Sequence, residues 1–454
     1  MSVLFLIPGC ISLFLVLTGR IKRAFLSVYL PSLFLLSPDY RLRLPHLPPF
    51  SAAQYALMPI GIIALTRHVC NRSFRLMDAL VLLFWVSFLA SEVLREPIMN
   101  TGILAAAQLF VAQLLAYVVG RQLIEPDLRF TTVRRFVIFV LLLCPIGVYE
   151  WRFGRSVYGI VGQTLFGIIA GQYGEGIQIR NGRGRFTASF GGSEFAGMVI
   201  AMTFALNAWL VFVSRKRRKV SLGRWLAQLE KYHVPALVMM LCIWLTQSRG
   251  ALLSLAIAYI ILQIPEIKNT KLATIAVAVI LALAAFGAKQ YFTEYVDVAP
   301  WRMTEEQSSA AYREVMNKVY QSVAERGGWL GWAGDIPVVG GRKSIDNQFL
   351  LTHLIQGECG YVLLILIAAE SIRTGIAGAW NLRASEDRVF ACSMLATFAI
   401  FWVAYYTVFM GGQLTQITFL MLGWGQSLVQ RKQAKIGGKG SVAVQVAAGA
   451  RGCD

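Results

Sequence analysis

Charge is what this chain has least of. Asp, Glu, Lys and Arg make up 15% of its 454 residues, while hydrophobic residues make up 56% and the mean hydropathy is +0.58. A soluble domain carries about 25% charged residues, so composition excludes an ordinary soluble enzyme and points to a membrane protein. Acidic residues are scarcer than basic ones, 24 against 43, which leaves a net charge of +19. No basic run has the interleaved aromatics or the motif of a nucleic-acid module, so nucleic acid is not an expected partner. The excess reads instead as basic connections that fix orientation in a bilayer.

Paired cysteines are also missing. The seven (Cys10, Cys70, Cys144, Cys242, Cys359, Cys392 and Cys453) are scattered without a C-x-x-C pair. Neither a disulfide framework nor a zinc site is expected, and the cysteines in apolar spans read as small packing residues. No internal repeat of the transporter kind is visible. The apolar stretch Val3 to Thr18 has no basic residues before it and no small-residue cleavage site, so it reads as a first membrane helix rather than a leader.

What is there is a succession of apolar runs. A membrane helix needs about 20 apolar residues. Candidate spans fall at 3–19, 24–38, 51–66, 77–94, 102–119, 136–150, 193–213, 234–247, 250–264, 272–288, 348–370, 389–409 and 414–429. The expected fold is therefore an all-α polytopic transmembrane bundle of about 12–13 spans. Run 24–38 contains Pro31, and the two runs meeting at Gln247-Ser248-Arg249-Gly250 are tightly joined.

Alternate connections differ in charge. One set holds 27 Lys and Arg, seven of them between Ser214 and Lys231, and the other holds 16. The positive-inside rule makes the first set cytoplasmic, with the C-terminal tail, and places the N-terminus outside. Twelve of the 16 outward basic residues sit in two long connections, 151–192 and 289–347. The chain then divides into N-terminal helices (1–150), an outward Gly/Arg loop (151–192), central helices (193–288), a large outward loop (289–347), C-terminal helices (348–430) and a disordered cytoplasmic tail (431–454).

Three constellations could carry chemistry. In 172–197, Arg180, Arg183 and Arg185 stand among seven glycines just before a helix that starts near Ser193. Guanidinium groups and helix-start amides both suit phosphate oxygens. Glu194, at that helix start, reads as a residue favourable to the helix dipole. At Thr246 to Gly250, Ser248 reads as a helix cap and Arg249 as a turn anchor or a further cation of an outward cavity.

In the large loop, Thr304-x-x-Gln307 is a capping-box pattern that predicts a helix from Glu305. Its expected apolar face is Tyr312, Val315, Met316, Val319 and Val323, with Arg313, Asn317 and Tyr320 on an adjacent stripe. Beyond it come Arg342-Lys343-Ser344-Ile345-Asp346-Asn347. Asp346 reads either as an N-cap assisted by Asn347 or as a carboxylate base for a hydroxyl nucleophile. His353 reads as a satisfied core histidine, and Glu358, inside the span, needs a partner.

The order of these pieces resembles the O-antigen ligase and polysaccharide polymerase family of bacterial inner membranes. The matching residues are Arg185-Phe186, Ser248-Arg249-Gly250-Ala251, Tyr312-Arg313, Asp346-Asn347-Gln348-Phe349-Leu350 and Gly357 to Gly360. They cover roughly 175–365; the first six spans match only as hydrophobic helices. The resemblance implies a GT-C-like glycosyltransferase with a large periplasmic loop containing a helix. Its donor would be an oligosaccharide on undecaprenyl diphosphate, without cofactor, metal or nucleotide sugar.

A glycan or lipid would be the acceptor, with membrane lipid and other polysaccharide-assembly proteins as further partners. Arg185 and Arg313 would hold the diphosphate and Asp346 would serve as base. Arg180, Arg183, Arg249, Arg342, Asn347 and Tyr320 would bind substrate. Ligases of that family typically have histidine where this chain has Asp346, which favours a polymerase over a ligase that transfers glycan to lipid A-core. The alternative from another class is a lipid-linked-glycan flippase or other transporter.

Overall fold

The computed structural model describes residues 2–42, 47–70, 74–95, 99–167, 177–180, 182–216, 233–298, 302–339, 345–382 and 384–428. The tail 431–454, most of the basic run 214–231, and Arg342 and Lys343 lie outside them. The protein is an all-α bundle whose one named sheet, among the described residues, is a pair of two-residue strands. The helices are α1 (Ile7–Leu17), α2 (21–35), α3 (Ala52–Cys70), α4 (Leu76–Arg95), α5 (99–123), α6 (Pro126–Phe153) and α7 (Val157–Phe166). After strands β1 (Ile179–Arg180) and β2 (Arg183–Gly184) come α8 (Ser193–Lys216), α9 (Val234–Leu245), α10 (Arg249–Leu262) and α11 (Thr270–Val296). The chain closes with α12 (Glu305–Gly327), α13 (Gln348–Asn381), α14 (Ser385–Tyr405) and α15 (413–428).

The described residues of all thirteen apolar runs are mostly helical. Eight helices among them are long and apolar enough to cross a membrane, fewer than the 12–13 spans expected, because several runs form only short helices. This is a multi-pass membrane protein by architecture. Pro31 does not break α2, because the turn Phe25–Tyr29 just before it is a π-helix, whose wider spacing accommodates a residue without an N–H. The apolar window of α8 is 89% buried and that of α11 only 11%, so α8 is the central helix and α11 stands at the rim. Around α8 pack α14 and α10, and α13 lies against α14 and α4.

Small residues set the closest approaches, as expected where lipid gives helices no hydrophobic reason to associate. A Cβ on Gly120 of α5 would lie 2.1 Å from the Leu420 carbonyl of α15, and one on Gly423 would lie 1.9 Å from that of Tyr117. The two backbones touch there. Cys144 and Cys242, far apart in sequence, meet with their Sγ atoms 3.0 Å apart, a contact that scattered spacing conceals.

Ties between connections respect the alternation read from charge. On one face Lys22 bonds Glu125 at 2.8 Å, Arg129 bonds Asp387 at 3.1 Å and Lys216 bonds Ser385 at 2.8 Å. On the other, the Tyr40 hydroxyl donates to the Tyr158 carbonyl at 2.8 Å, Arg95 donates to the Gly327 carbonyl at 2.9 Å, and Phe195 meets Phe409 edge to face. This second face, called the loop face below, carries both long connections.

Helix α13 is broken at Gly357, whose φ of 63° and ψ of −161° are not helical. The segment Gly328 to Ala333 fills the break with its own backbone. Trp332 and Ala333 amides donate to the Leu354 and Ile355 carbonyls at 2.7 and 3.0 Å. In return, the Glu358 and Cys359 amides donate to the Gly328 and Trp329 carbonyls at 3.1 and 3.3 Å. Each group named here that the break frees finds a partner, as a low-dielectric surrounding demands. Only glycine fits: a Cβ on Gly357 would lie 2.3 Å from the Gly328 carbonyl oxygen.

Candidate functional site

The site is built on the Gly/Arg stretch, which forms a hairpin rather than an open loop. Gly182, at φ 71°, makes its turn, and Arg180 pairs with Arg183 and Ile179 with Gly184 across it. The base of the hairpin is pressed onto the end of α6. A Cβ on Gly184 would lie 2.4 Å from the Glu150 carbonyl, and Phe186 lays its ring where a side chain on Gly147 would stand. Buried Glu150 then fixes the following turn, its Oε2 accepting from the amides of Thr187 at 2.9 Å and Ala188 at 2.7 Å.

So held, the hairpin delivers its arginines to the turn between α9 and α10. Arg185, 2% exposed, donates from Nε to the Thr246 carbonyl at 3.0 Å. Its Nη1 reaches Gln178 Oε1 and lies 2.7 Å from Glu194 Oε1. Arg180 donates to the Gln247 carbonyl at 2.9 Å. Gln247 takes the left-handed φ of 49°, and Ser248 caps α10 through the Ala251 amide, as its sequence reading expects. Arg249 follows at the first helical position, exposed at the loop face.

The fourth arginine comes from the large loop. The Thr304–Gln307 capping box is formed and starts α12 at Glu305. Arg313 on that helix is half-buried and makes no hydrogen bond or ion pair with the described residues. Its charge nonetheless reaches Arg180. Arg180 is pushed below the usual guanidinium range, first by burial, then by the charges of Arg185 and Arg249 and to a smaller degree of Arg313, against the upward pull of Glu194. Arg180 thus lies in the field of Arg185, Arg249 and Arg313, which come from three separate parts of the chain, and of the Glu194 carboxylate.

The start of α13 is tied to the same helix. Asn347, not Asp346, is its N-cap: Oδ1 accepts from the Phe349 and Leu350 amides at 3.0 and 3.2 Å. Asn347 Nδ2 donates to Asn317 Oδ1 at 3.4 Å, one turn beyond Arg313 on α12. Asp346 is half-buried and has no capping duty. The expected capping role passes to its neighbour because the asparagine, one residue later, has the extended backbone of a cap, φ −147° and ψ 111°.

Other expected site residues lie elsewhere. Arg183 is exposed, with its guanidinium 4.2 Å from the centre of the Trp151 ring. Tyr320 is 1% exposed in a small core with Met316, Val323, Ala324, Ile345, Leu350 and Leu354, and its hydroxyl accepts from the Val339 amide at 3.4 Å. The buried face of α12 is therefore rotated from the one expected, and Val315, expected inside, is 41% exposed. Arg342 is outside the described residues. His353 is buried, stacked on Tyr361 and 3.1 Å from Glu358, which supplies the partner that Glu358 needs.

Sequence reasoning missed Gln178 and the Thr246 and Gln247 carbonyls, which hold the arginines, and Glu150, which fixes the turn that follows them. It read Glu194 only as a helix-start residue. Nothing in local spacing marks a backbone carbonyl as a guanidinium acceptor; the hairpin register does. Neither a family model nor a curated protein matches this chain.

Proposed function

We propose that the protein is a membrane glycosyltransferase that polymerises glycan carried on undecaprenyl diphosphate. The observation that carries this reading is the convergence of Arg180, Arg185, Arg249 and Arg313 on the loop face. Guanidinium groups gathered at a membrane surface repel one another and favour an anion among them, and planar guanidinium forks suit a diphosphate. The motif order that resembles the ligase and polymerase family names the glycan. In this reading the loop face is periplasmic, the membrane is the bacterial inner membrane and the fold is GT-C-like.

The reaction in this reading is a displacement at the sugar carbon. An acceptor hydroxyl attacks the sugar carbon bearing the diphosphate; a new C–O bond forms and the old one breaks. Asp346 takes the hydroxyl proton, and the bonding electron pair leaves on the diphosphate oxygen, where the arginines meet the developing charge. Carriage on a lipid tail delivers the donor within the plane of the bilayer.

Two features argue against a transporter. Transporters use the freed backbone groups of broken helices to hold substrate at mid-membrane, whereas the break at Gly357 has its freed groups occupied by Gly328 to Ala333. On the opposite face, buried Asp78 receives the Tyr117 hydroxyl at 2.6 Å and the Arg75 amide at 2.6 Å and pairs with Arg121, which binds helix ends together.

The test is purified protein given lipid-diphosphate-linked repeat units, with and without a lipid A-core acceptor. Laddered products without that acceptor are the expected result. A single transfer to lipid A-core would make the protein a ligase, and no transfer in either arm would overturn the enzyme reading.

A further inference from the structure

We propose that Glu194 is a built-in counter-ion of the arginine cluster and sets how tightly the site holds the released diphosphate; this rests on the function proposed above. Glu194 is the second residue of α8. Its Oε1 lies 2.7 Å from Arg185 Nη1, and its Oε2 accepts from the Ser193 hydroxyl at 3.1 Å. Its side chain is 30% exposed while that of Arg185 is 2% exposed, so the pair has a sealed cation and a carboxylate open on one side. A carboxylate at a helix start is satisfied by the helix dipole without an arginine. Here it also takes up one of four clustered cations.

The consequence is a matter of charge. Glu194, paired with Arg185, lowers the positive charge felt around Arg180 by one carboxylate. A donor in which diphosphate joins two carbons carries about −2. Breaking the bond to the sugar frees a terminal oxygen, and the released lipid diphosphate carries up to about −3. With Glu194 ionised, part of the arginines' positive charge is offset, so the more highly charged product is held less tightly and can depart. Neutralising Glu194 would raise the local charge by one and strengthen every anion's binding, the more highly charged product most of all.

Glu194→Gln keeps an oxygen that can accept from Arg185, so the hairpin stays pinned. The measurement is binding of farnesyl diphosphate, as a lipid diphosphate monoester, to purified full-length protein in detergent, alongside turnover. The variant is expected to bind about tenfold tighter than wild type and to turn over more slowly, with earlier product inhibition. Lost structure would weaken binding, so a gain separates the counter-ion role from a structural one. Should Glu194→Gln fail to fold, Glu194→Asp, whose shorter carboxylate withdraws from Arg185, is expected to show a smaller gain of about threefold. Equal or weaker binding by a folded variant overturns the inference while leaving the proposed function standing. No binding by wild type would instead overturn the diphosphate reading, and this inference with it.

Discussion

Arg313→Ala is expected to abolish glycan elongation in cells while protein abundance stays normal. In a purified assay the expected loss is about 10²–10³-fold in turnover, the range for removing one preorganised charge donor from a developing anion. Stability should change by less than about 0.5 kcal/mol, because Arg313 makes no hydrogen bond or ion pair with the described residues. That separation makes it the diagnostic arginine. Arg185 is not: it is buried against the Thr246 carbonyl, Gln178 and Glu194. Its removal would leave those acceptors unpaired and cost structure as well as chemistry. Near-normal polymer length from Arg313→Ala would contradict the assignment of this cation to the leaving group.

Asp346→Asn is expected to lower turnover by about 10²–10⁴-fold without weakening lipid-diphosphate binding. The amide matches the carboxylate in shape but takes up no proton. The helix behind it is insulated from the change, since Asn347 is the cap of α13. A loss of binding equal to the loss of turnover would mean that Asp346 shapes the site rather than accepting the proton. Asp346→Ala should likewise stop elongation in cells, and continued elongation would remove the base from the mechanism.

Much of the fold was legible because the membrane imposes it. A run of apolar residues crossing lipid alone satisfies its backbone as a helix, and the described residues of the thirteen runs are mostly helical, eight of the helices being long enough to cross. Even Pro31, the clearest local objection, was absorbed by a π-turn. Local capping chemistry was readable as well: Thr304 with Gln307 and Ser248 both cap as their spacing says.

What failed was everything decided by distant contacts. The glycine and arginine stretch looked like a flexible loop until Gly147 and Glu150 of α6 gave it a surface to fold against. The buried stripe of α12 turned toward Tyr320 because Ile345, Leu350 and Leu354 from the start of α13 cover that side. The break at Gly357 depends on a segment some thirty residues earlier, which no helical periodicity can announce. Of the candidate site, the arginines were nameable from sequence, but their approach to Arg180 and the pairing of Arg185 with Glu194 were not.

The most direct measurement is an experimental structure of the protein with a lipid diphosphate bound. The account predicts phosphate density on the loop face, within hydrogen-bonding distance of Arg180, Arg249 and Arg313, with Asp346 facing the adjoining acceptor space. Phosphate bound instead at the opposite face, near Arg121 and Asp78, or no phosphate at the four arginines, would contradict it.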